Sequence, residues 1–299
     1  MAGRIARLLR HQSPEPPEVK AAAAQLAHLA EAYPDLRHAA AVQTALLRAV
    51  YAVSAPVSPH PMATADVAAR LAGGRPLLRD ATLPCATPHL RDTFLRLCTA
   101  ACRASAAPDA AAPYATLMAA VKAQRLDVGF CGSELLTDRA SLLPAHLEAQ
   151  GYPAGLVMTL LRLTLLPFLE QIAAQLAPLA APYPWGRGYC PVCGAWPVLA
   201  EQRGLEQWRY LRCGLCASSW AVDRLLCPFC TNRDHLLLGY LQVEGEEQQQ
   251  RIATCNACQG YLKLRSTLTP LTTPQLLAAE VALVHLDLLA MQNGYMVMH

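Results

Sequence analysis

Apolar residues recur at helical spacing through most of residues 18–181. Leu26, Leu29 and Ala30 lie three to four positions apart, and the same spacing returns over 42–50, as expected for helices with one buried face. The predicted helices cover 19–31 and 42–50, and then about 62–73, 88–106, 113–125, 138–150 and 153–180. Breaks are predicted where proline and glycine concentrate, at 33–35, 54–61, 73–74, 108, 129–132 and 151. This region is therefore expected to form a bundle-like α-helical domain.

The pattern changes after Pro182 to short runs that favour β-strands. These runs cover 196–202, 207–212, 219–223, 236–244, 251–254 and 261–264. Gly204 and Gly245 each lie between two such runs, where a hairpin turn is expected. Helical spacing returns over 275–293 and predicts a terminal helix.

Together these patterns predict an α+β multidomain fold. The N-terminal α-helical, bundle-like domain is expected over 1–181 and is followed by two small β modules. The modules are expected over 182–224 and 225–270, and the C-terminal helix over 271–299. At 299 residues the chain is long enough for domains with cores of their own.

Four Cys-x-x-Cys pairs lie within 69 residues of the β-prone half. They are Cys190/Cys193, Cys213/Cys216, Cys227/Cys230 and Cys255/Cys258. Two thiolates three positions apart can bind one tetrahedral metal ion from a single tight turn. The eight cysteines are therefore predicted to be metal ligands, in number sufficient for two complete tetrathiolate sites.

The spacers between the pairs contain 19, 10 and 24 residues. Each long spacer has room for two short strands and a turn, which favours a sequential grouping: the first two pairs around one ion and the last two around another. An interleaved arrangement, with the first pair joined to the third and the second to the fourth, stays open. Redox-active dithiols and unligated core cysteines stay open as well.

A complete tetrathiolate site leaves no open coordination position, whereas catalytic zinc keeps one. The sequence also shows no Cys–His–Asp set for nucleophilic catalysis, so an enzyme is not expected. Structural zinc and rubredoxin-type iron both suit four thiolates, and the spacing alone does not separate them.

The charge balance argues against nucleic acid as a partner. Residues 182–299 contain nine Lys/Arg and nine Asp/Glu, and two divalent ions held by eight thiolates would make this half anionic. Surfaces that bind nucleic acid are cationic instead.

Neither a secretory signal nor a membrane span is expected. Residues 1–12 carry three arginines but no apolar core of a signal peptide. The most apolar stretch, 156–181, is interrupted by Arg162, Pro167 and Glu170, which leaves less than the roughly 18 apolar residues of a span. We therefore expect a cytoplasmic protein, in a compartment where thiols stay reduced.

The remaining cysteines are expected to be structural. Cys98 and Cys102 share one face of a predicted helix, and free cysteine behaves as a small apolar residue, so both are expected to pack in the core. Cys85 and Cys131 are expected to be packed or partly exposed.

Large and basic residues crowd the cysteine region. The tryptophans Trp185, Trp196, Trp208 and Trp220 are expected to fill the thin cores of small modules rather than to form a binding patch. Arg209, Arg212, Lys263 and Arg265 could offset the negative charge of the sites or meet an acidic partner, but solvated faces are expected for them.

The cysteine region resembles the formate dehydrogenase accessory protein FdhE family. The matching stretches are GYCPVCGAWP at 188–197, YLRCGLCASSW at 210–220, CPFC at 227–230 and CNACQGYLK at 255–263. The resemblance is specific over about 156–295 and weak before it.

This resemblance implies a cytoplasmic, non-enzymatic maturation protein with a helical N-terminal domain and two rubredoxin- or zinc-ribbon-like β modules. It implies that all eight cysteine positions bind metal, two ions per chain, with iron favoured and zinc left open. The implied partner is the catalytic subunit of a molybdenum- or tungsten-dependent formate dehydrogenase, and a homodimer stays open. A rubredoxin-like redox or electron-transfer protein is the competing hypothesis, from a different class.

Overall fold

The computed structural model describes residues 15–53, 57, 62–83 and 85–298. The arginine-bearing segment 1–12 lies outside the described residues, and so does most of the proline-rich break predicted at 54–61. The described part of the chain forms a helical domain, a mixed sheet and two C-terminal helices. The predicted α+β architecture is thus confirmed.

Eight α-helices precede the sheet within the described residues. They are α1 (Pro17–Ala32), α2 (Arg37–Tyr51), α3 (Thr64–Ala72), α4 (Thr87–Ala104), α5 (Pro108–Lys122), α6 (Val128–Glu134), α7 (Leu143–Ala149) and α8 (Ala154–Ala180). Helix α5 begins earlier than the predicted residue 113. The reason is that proline is well tolerated at the first helical position, where its missing N–H would have no partner in the helix.

The predicted break at 129–132 is wrong, because α6 spans it. The side chain of Asp127 accepts a hydrogen bond from the N–H of Phe130 at 2.9 Å and so caps this helix. Gly129 serves close packing instead of a turn: a Cβ there would lie 2.6 Å from Thr87 Cγ2 at the start of α4. A glycine needed for helix contact looks the same in sequence as a glycine that ends a helix.

Helix α8 is the central element of the helical domain. It contacts α2, α3, α4, α6 and α7, and Leu160, Leu161 and Phe168 are among its fully buried side chains. By length and composition alone α8 could cross a membrane, but 67% of its apolar window is buried inside the protein. Such burial is typical of a core helix.

The six predicted strands form one sheet in the order β3-β2-β1-β6-β5-β4. They are β1 (Pro197–Arg203), β2 (Trp208–Cys213), β3 (Ser219–Ala221), β4 (Leu238–Leu241), β5 (Gln250–Cys255) and β6 (Tyr261–Thr267). Two antiparallel halves are joined by the parallel pairing of β1 with β6. The strands of both predicted modules thus belong to one sheet. The domain boundaries at 181/182, 224/225 and 270/271 stay predictions.

Gly204 and Gly245 occupy the β1–β2 and β4–β5 turns with φ of 67° and 87°. Glycine adopts this left-handed region at little cost because it has no Cβ. The two predicted hairpin turns are therefore confirmed.

The single terminal helix predicted over 275–293 is wrong, since the structure has two. Helices α9 (Thr273–Ala282) and α10 (Val284–Gln292) meet at Leu283 with a bend of 47°. Helix α9 contacts α1 and α2 of the helical domain, whereas α10 contacts β5 and β6. Apolar spacing continues through the segment, so only its two different packing partners account for the bend.

Candidate metal centre

The β1–β2 hairpin brings the first four cysteines together. Cys190 and Cys193 precede β1, and Cys213 ends β2 opposite Pro197. The N–H of Cys190 donates to the carbonyl of Ala195 at 2.9 Å and closes the first Cys-x-x-Cys turn. Strand pairing therefore carries both turns to one end of the hairpin.

The Sγ atoms of this first four-cysteine group (Cys190, Cys193, Cys213 and Cys216) all lie within 4.8 Å of one another. Cys190 Sγ is 3.7 Å from Cys216 Sγ, and Cys193 Sγ is 3.3 Å from Cys213 Sγ. A tetrahedral ion with bonds of about 2.3 Å holds its sulfur ligands about 3.8 Å apart, whereas disulfide sulfurs are about 2.05 Å apart. The spacing therefore fits a shared ion and does not fit a disulfide.

The β4–β5 hairpin organises the second four-cysteine group (Cys227, Cys230, Cys255 and Cys258). Cys255 ends β5 opposite Leu238 of β4. Cys227 Sγ lies 3.7 Å from Cys258 Sγ, and Cys230 Sγ lies 3.7 Å from Cys255 Sγ. All four sulfurs are within 4.8 Å of one another, so this group also fits a tetrahedral ion. The cysteines are grouped sequentially, as favoured from the spacers, and not in the interleaved arrangement.

Backbone N–H groups point at sulfur in the first four-cysteine group. The N–H of Val192 is 3.4 Å from Cys190 Sγ, and the N–H groups of Leu215 and Cys216 are 3.3 and 3.4 Å from Cys213 Sγ. Such donors stabilise the negative charge that thiolates carry when they bind metal.

Burial controls protonation in the first four-cysteine group. It raises the pKa of the Cys190 and Cys193 thiols well above the ordinary value. Burial also opposes ionisation of Cys213, but hydrogen bonds from Cys190, Cys193 and Cys216 outweigh it and hold the pKa of Cys213 well below the ordinary value. One thiolate is thus favoured in the bare group, and a bound cation would permit the others to ionise.

The two four-cysteine groups differ in exposure. The cysteines of the first group are at most 1% exposed and belong to a hydrophobic core that continues into the helical domain. In the second group Cys227 and Cys255 are buried, but Cys230 and Cys258 reach the surface. This difference could not be read from the spacing, because all four pairs share the same motif.

Glu201 on β1 is a buried charge that the sequence patterns did not single out. Its side chain is fully buried and pairs with Arg203 at 2.8 Å and with Arg212. It also accepts the N–H of Leu271 at 3.1 Å. Burial alone would raise the pKa of this carboxyl, but the hydrogen bond from Arg203 and the charge of Arg212 outweigh burial and lower it.

The expectation of solvated faces for the basic residues is wrong. Arg209, Arg212 and Lys263 are buried, and Arg265 is half-buried. Arg212 meets Glu201, and Lys263 Nζ donates to Asp287 at 2.7 Å. Buried basic groups need such partners, and the partners lie on other elements, which the local pattern cannot show.

The tryptophans divide into packed and exposed residues. Trp220 is buried and Trp185 packs against the main core, as expected, whereas Trp196 is half-buried. Trp208 departs from the expectation because it is 61% exposed. The Trp196 ring lies 5.6 Å from the ring of Phe229, so it joins the start of β1 to the turn that carries Cys227 and Cys230.

The four cysteines outside these two groups lie in the helical domain. Cys98 and Cys131 are buried in its core, and Cys85 and Cys102 are half-buried. Burial raises the pKa of Cys98 to about 12 and that of Cys131 to about 11. Both thiols are therefore neutral and packed, which confirms the structural expectation for Cys98.

The class of protein defined by this fold and site has a helical domain joined to a ribbon-like sheet with two four-cysteine groups. Residues 189–224 match the family described as "FdhE, central domain". Together with the relatives below, this match confirms the resemblance expected from the sequence.

Similar proteins include two named "Protein FdhE homolog". The one from Stutzerimonas stutzeri is 41% identical over 110 residues, which cover 36% of this chain and 35% of that relative. The one from Aquifex aeolicus is 34% identical over 115 residues, which cover 37% of this chain and 40% of that relative. The chain thus matches well under half the length of either relative.

One solved structure is similar over almost the whole chain. It is the crystal structure of the FdhE protein from Pseudomonas aeruginosa. The match covers 95% of this chain and 94% of the Pseudomonas chain, with a TM-score of 0.62 and 24% sequence identity. At that identity the likeness is one of fold. It extends to the helical domain, where the sequence resemblance is weak.

Proposed function

We propose that this protein is a cytoplasmic accessory protein of formate dehydrogenase. In this role it binds the catalytic subunit and is required for formation of the active enzyme, without being an enzyme itself. The observation that carries the proposal is the match to the FdhE central domain on a fold that assembles two complete groups of four cysteines.

The eight cysteines are proposed to hold two metal ions per chain. One ion would be bound by the first four-cysteine group and the other by the second four-cysteine group, and each would tie together the two turns of its hairpin. Four thiolates complete a tetrahedral shell, so no open position for a substrate remains, which supports a non-enzymatic role. Iron is favoured by the family resemblance, and zinc suits the same ligands.

The buried basic residues argue against a nucleic acid as the partner. Arg212 and Lys263 are paired with carboxylates inside the protein, and Arg209 donates to the carbonyl of Leu226. Guanidinium and ammonium groups used in this way do not form the cationic stripe that phosphates need.

Co-purification tests the proposed partner. A tagged full chain is purified without oxygen from cells grown on formate, and the bound proteins are identified by mass spectrometry, with an untagged strain as control. The catalytic subunit of formate dehydrogenase is expected in the eluate. An eluate of folded, metal-loaded protein that lacks every formate dehydrogenase subunit contradicts the proposal.

A genetic test asks separately whether this protein is required for formation of active formate dehydrogenase. Removing the gene is expected to leave the formate dehydrogenase polypeptide present but inactive, and the full chain is expected to restore activity. Full activity in the deletion strain would remove the accessory role even if the two proteins co-purify.

A rubredoxin-like electron-transfer protein is the second candidate, and the surface exposure of Cys230 and Cys258 favours it. This function requires iron that changes oxidation state close to the surface. A colourless protein that contains only zinc after anaerobic purification contradicts electron transfer and leaves the accessory function standing.

A further inference from the structure

We propose that the two four-cysteine groups have different tasks: the first holds its ion permanently, and the second exchanges its ion with soft-donor ligands such as thiols. This inference rests on the proposed binding of two ions and assigns a separate role to each site. It is carried by the contrast in how the rest of the protein covers the two groups.

The helical domain packs against the first four-cysteine group from two sides, and the cavity of about 410 Å³ beside Arg79 and Gly194 is lined by none of its cysteines. The guanidinium of Arg79 lies against Gly194, where a Cβ would be only 2.2 Å from Arg79 Nη2. From the other side Arg162 of α8 donates its Nε–H to the carbonyl of Gly214 at 2.6 Å. Gly214 lies between Cys213 and Cys216, so both Cys-x-x-Cys turns are held by residues from outside the sheet.

The second four-cysteine group is open by comparison. Cys230 and Cys258 reach the surface, and Cys230 is the more exposed of the two. A surface cavity of about 50 Å³ is lined by Cys227 and Cys255, the two buried members. A volume of this size admits water. Every sulfur of the second group therefore belongs to a residue that either reaches the surface or lines a solvent-accessible cavity.

The position of this group in the sheet explains its exposure. Its hairpin includes β4, which is an edge strand, whereas the hairpin of the first group is flanked by the helical core. Part of the cover comes from the last described residues: Met296 donates its N–H to the carbonyl of Gln259 at 2.8 Å, and Tyr295 Oη donates to Asn256 Oδ1 at 2.7 Å. A short segment held by few hydrogen bonds opens more readily than a packed core.

Exchange at such a site is a ligand substitution. Cys230 or Cys258 would release a bound ion to an incoming thiolate or chelating nitrogen, and the released thiolate would take a proton from solvent; no electron would be transferred. The same reaction at the first four-cysteine group requires the core between sheet and helices to open, which is a rarer event. Exposure is also what separates reactive cysteines from inert buried ones.

The test uses the folded full chain loaded with two zinc ions. The chromogenic chelator 4-(2-pyridylazo)resorcinol is added in excess without denaturant, and zinc release is followed by absorbance. Two phases of one ion each are expected, with the fast phase at least about tenfold faster than the slow one. Two ions that leave together at one rate overturn the inference.

Cysteine variants and peptide mapping assign the fast and slow phases of zinc release to the two four-cysteine groups. Cys258→Ser is expected to abolish the fast phase and keep the slow one, and Cys216→Ser to do the reverse. Should Cys216→Ser fail to fold, alkylation of the zinc-loaded wild type by iodoacetamide still decides, because Cys230 and Cys258 are expected to react before any cysteine of the first group. Early alkylation of Cys190 or Cys213 overturns the assignment.

The starting zinc content separates this inference from the function it rests on. A chain that binds no zinc or iron through its cysteines contradicts the proposed function, and this inference with it. Two bound ions that exchange at equal rates contradict only the difference between the sites.

Discussion

Leu78 donates its backbone N–H to the carbonyl of Val192 at 2.7 Å, and Leu77 does the same to Pro191 at 2.9 Å. Val192 and Pro191 are the two residues between Cys190 and Cys193. A segment of the helical domain is therefore hydrogen-bonded directly to a Cys-x-x-Cys turn. Rearrangement of the first four-cysteine group must break these bonds and disturb the helical domain as well.

Loss of a ligand is expected to have different consequences at the two four-cysteine groups. Cys213→Ser is expected to lower metal content from two ions to one and to lower the melting temperature by about 10 °C, because the first group belongs to the main core. Cys230→Ser is expected to remove one ion with a much smaller thermal shift. Elemental analysis and circular dichroism measure both effects.

The control for this comparison is the metal content of each variant. If Cys213→Ser keeps two ions per chain, the assignment of Cys213 as a ligand is contradicted. Equal melting temperatures for the two variants would contradict the unequal coupling to the helical domain.

Gly188 joins the two halves of the sheet region through close backbone contact. A Cβ at Gly188 would lie 1.7 Å from the carbonyl oxygen of Pro228, inside the turn of Cys227 and Cys230. Gly188→Ala is therefore expected to destabilise the protein by about 2–3 kcal/mol, since the neighbouring backbone must move. Chemical unfolding of the metal-loaded protein measures the change.

Gly186→Ala provides a matched control two positions earlier. A Cβ at Gly186 meets no atom within 4 Å, so stability is expected to stay within about 0.5 kcal/mol of wild type. Equal effects of the two substitutions would show that the contact with Pro228 is not what demands glycine.

The buried carboxylate of Glu201 is expected to stabilise the sheet through Arg203 and Arg212. Glu201→Gln keeps the shape but leaves the guanidinium groups without their anion, so we expect a loss of about 3–5 kcal/mol at pH 7. Urea unfolding of both proteins measures the difference, and Glu206→Gln, at an exposed position, serves as control.

The stability difference between wild type and Glu201→Gln is expected to depend on pH. The folded pKa of Glu201 is lowered below its ordinary value of 4.5, so the charge contributes its full stability above that value and loses it as pH falls through the folded pKa. The stability difference between wild type and Glu201→Gln should therefore shrink in acid. A difference that grows as the pH falls would contradict the sign of the shift.

Arg162 connects α8 to both the sheet and α9. Its side chain donates to the carbonyl of Gly214 at 2.6 Å and pairs with Glu280 at 3.1 Å. Arg162→Gln is expected to cost about 1–3 kcal/mol by leaving the Gly214 carbonyl and the carboxylate poorly satisfied. It should also speed metal release from the first four-cysteine group.

The exposed residue Arg96 on α4 provides the control for this prediction. Arg96→Gln is expected to change neither stability nor metal release measurably. Unchanged zinc release in Arg162→Gln, measured with the same chelator, would mean that this contact does not seal the first four-cysteine group.

The secondary structure and the cysteine grouping could be predicted because both follow from short-range spacing. Helical periodicity located α8, and short β-prone runs located all six strands, since both patterns are set within a few residues. The two-strand spacers likewise favoured the sequential grouping of the cysteines, because a hairpin brings its own ends together.

The predictions failed where the same local sequence pattern is compatible with two different tertiary structures. Gly129 lies inside α6, where the close approach of Thr87 leaves no room for a Cβ, and the terminal segment bends at Leu283, where its two halves meet different elements. Neither partner is near in sequence, so the pattern could not distinguish these cases from a turn or a straight helix.

What the sequence by itself determined is the set of eight candidate ligands and the elements that carry them, because a Cys-x-x-Cys turn and a hairpin are local structures. Only the tertiary structure decided that the helical domain covers one four-cysteine group and leaves the other at the edge of the sheet. It also decided that Glu201, Arg212 and Lys263 are buried. Burial depends on contacts between residues far apart in the chain, and such contacts leave no periodic trace in the sequence.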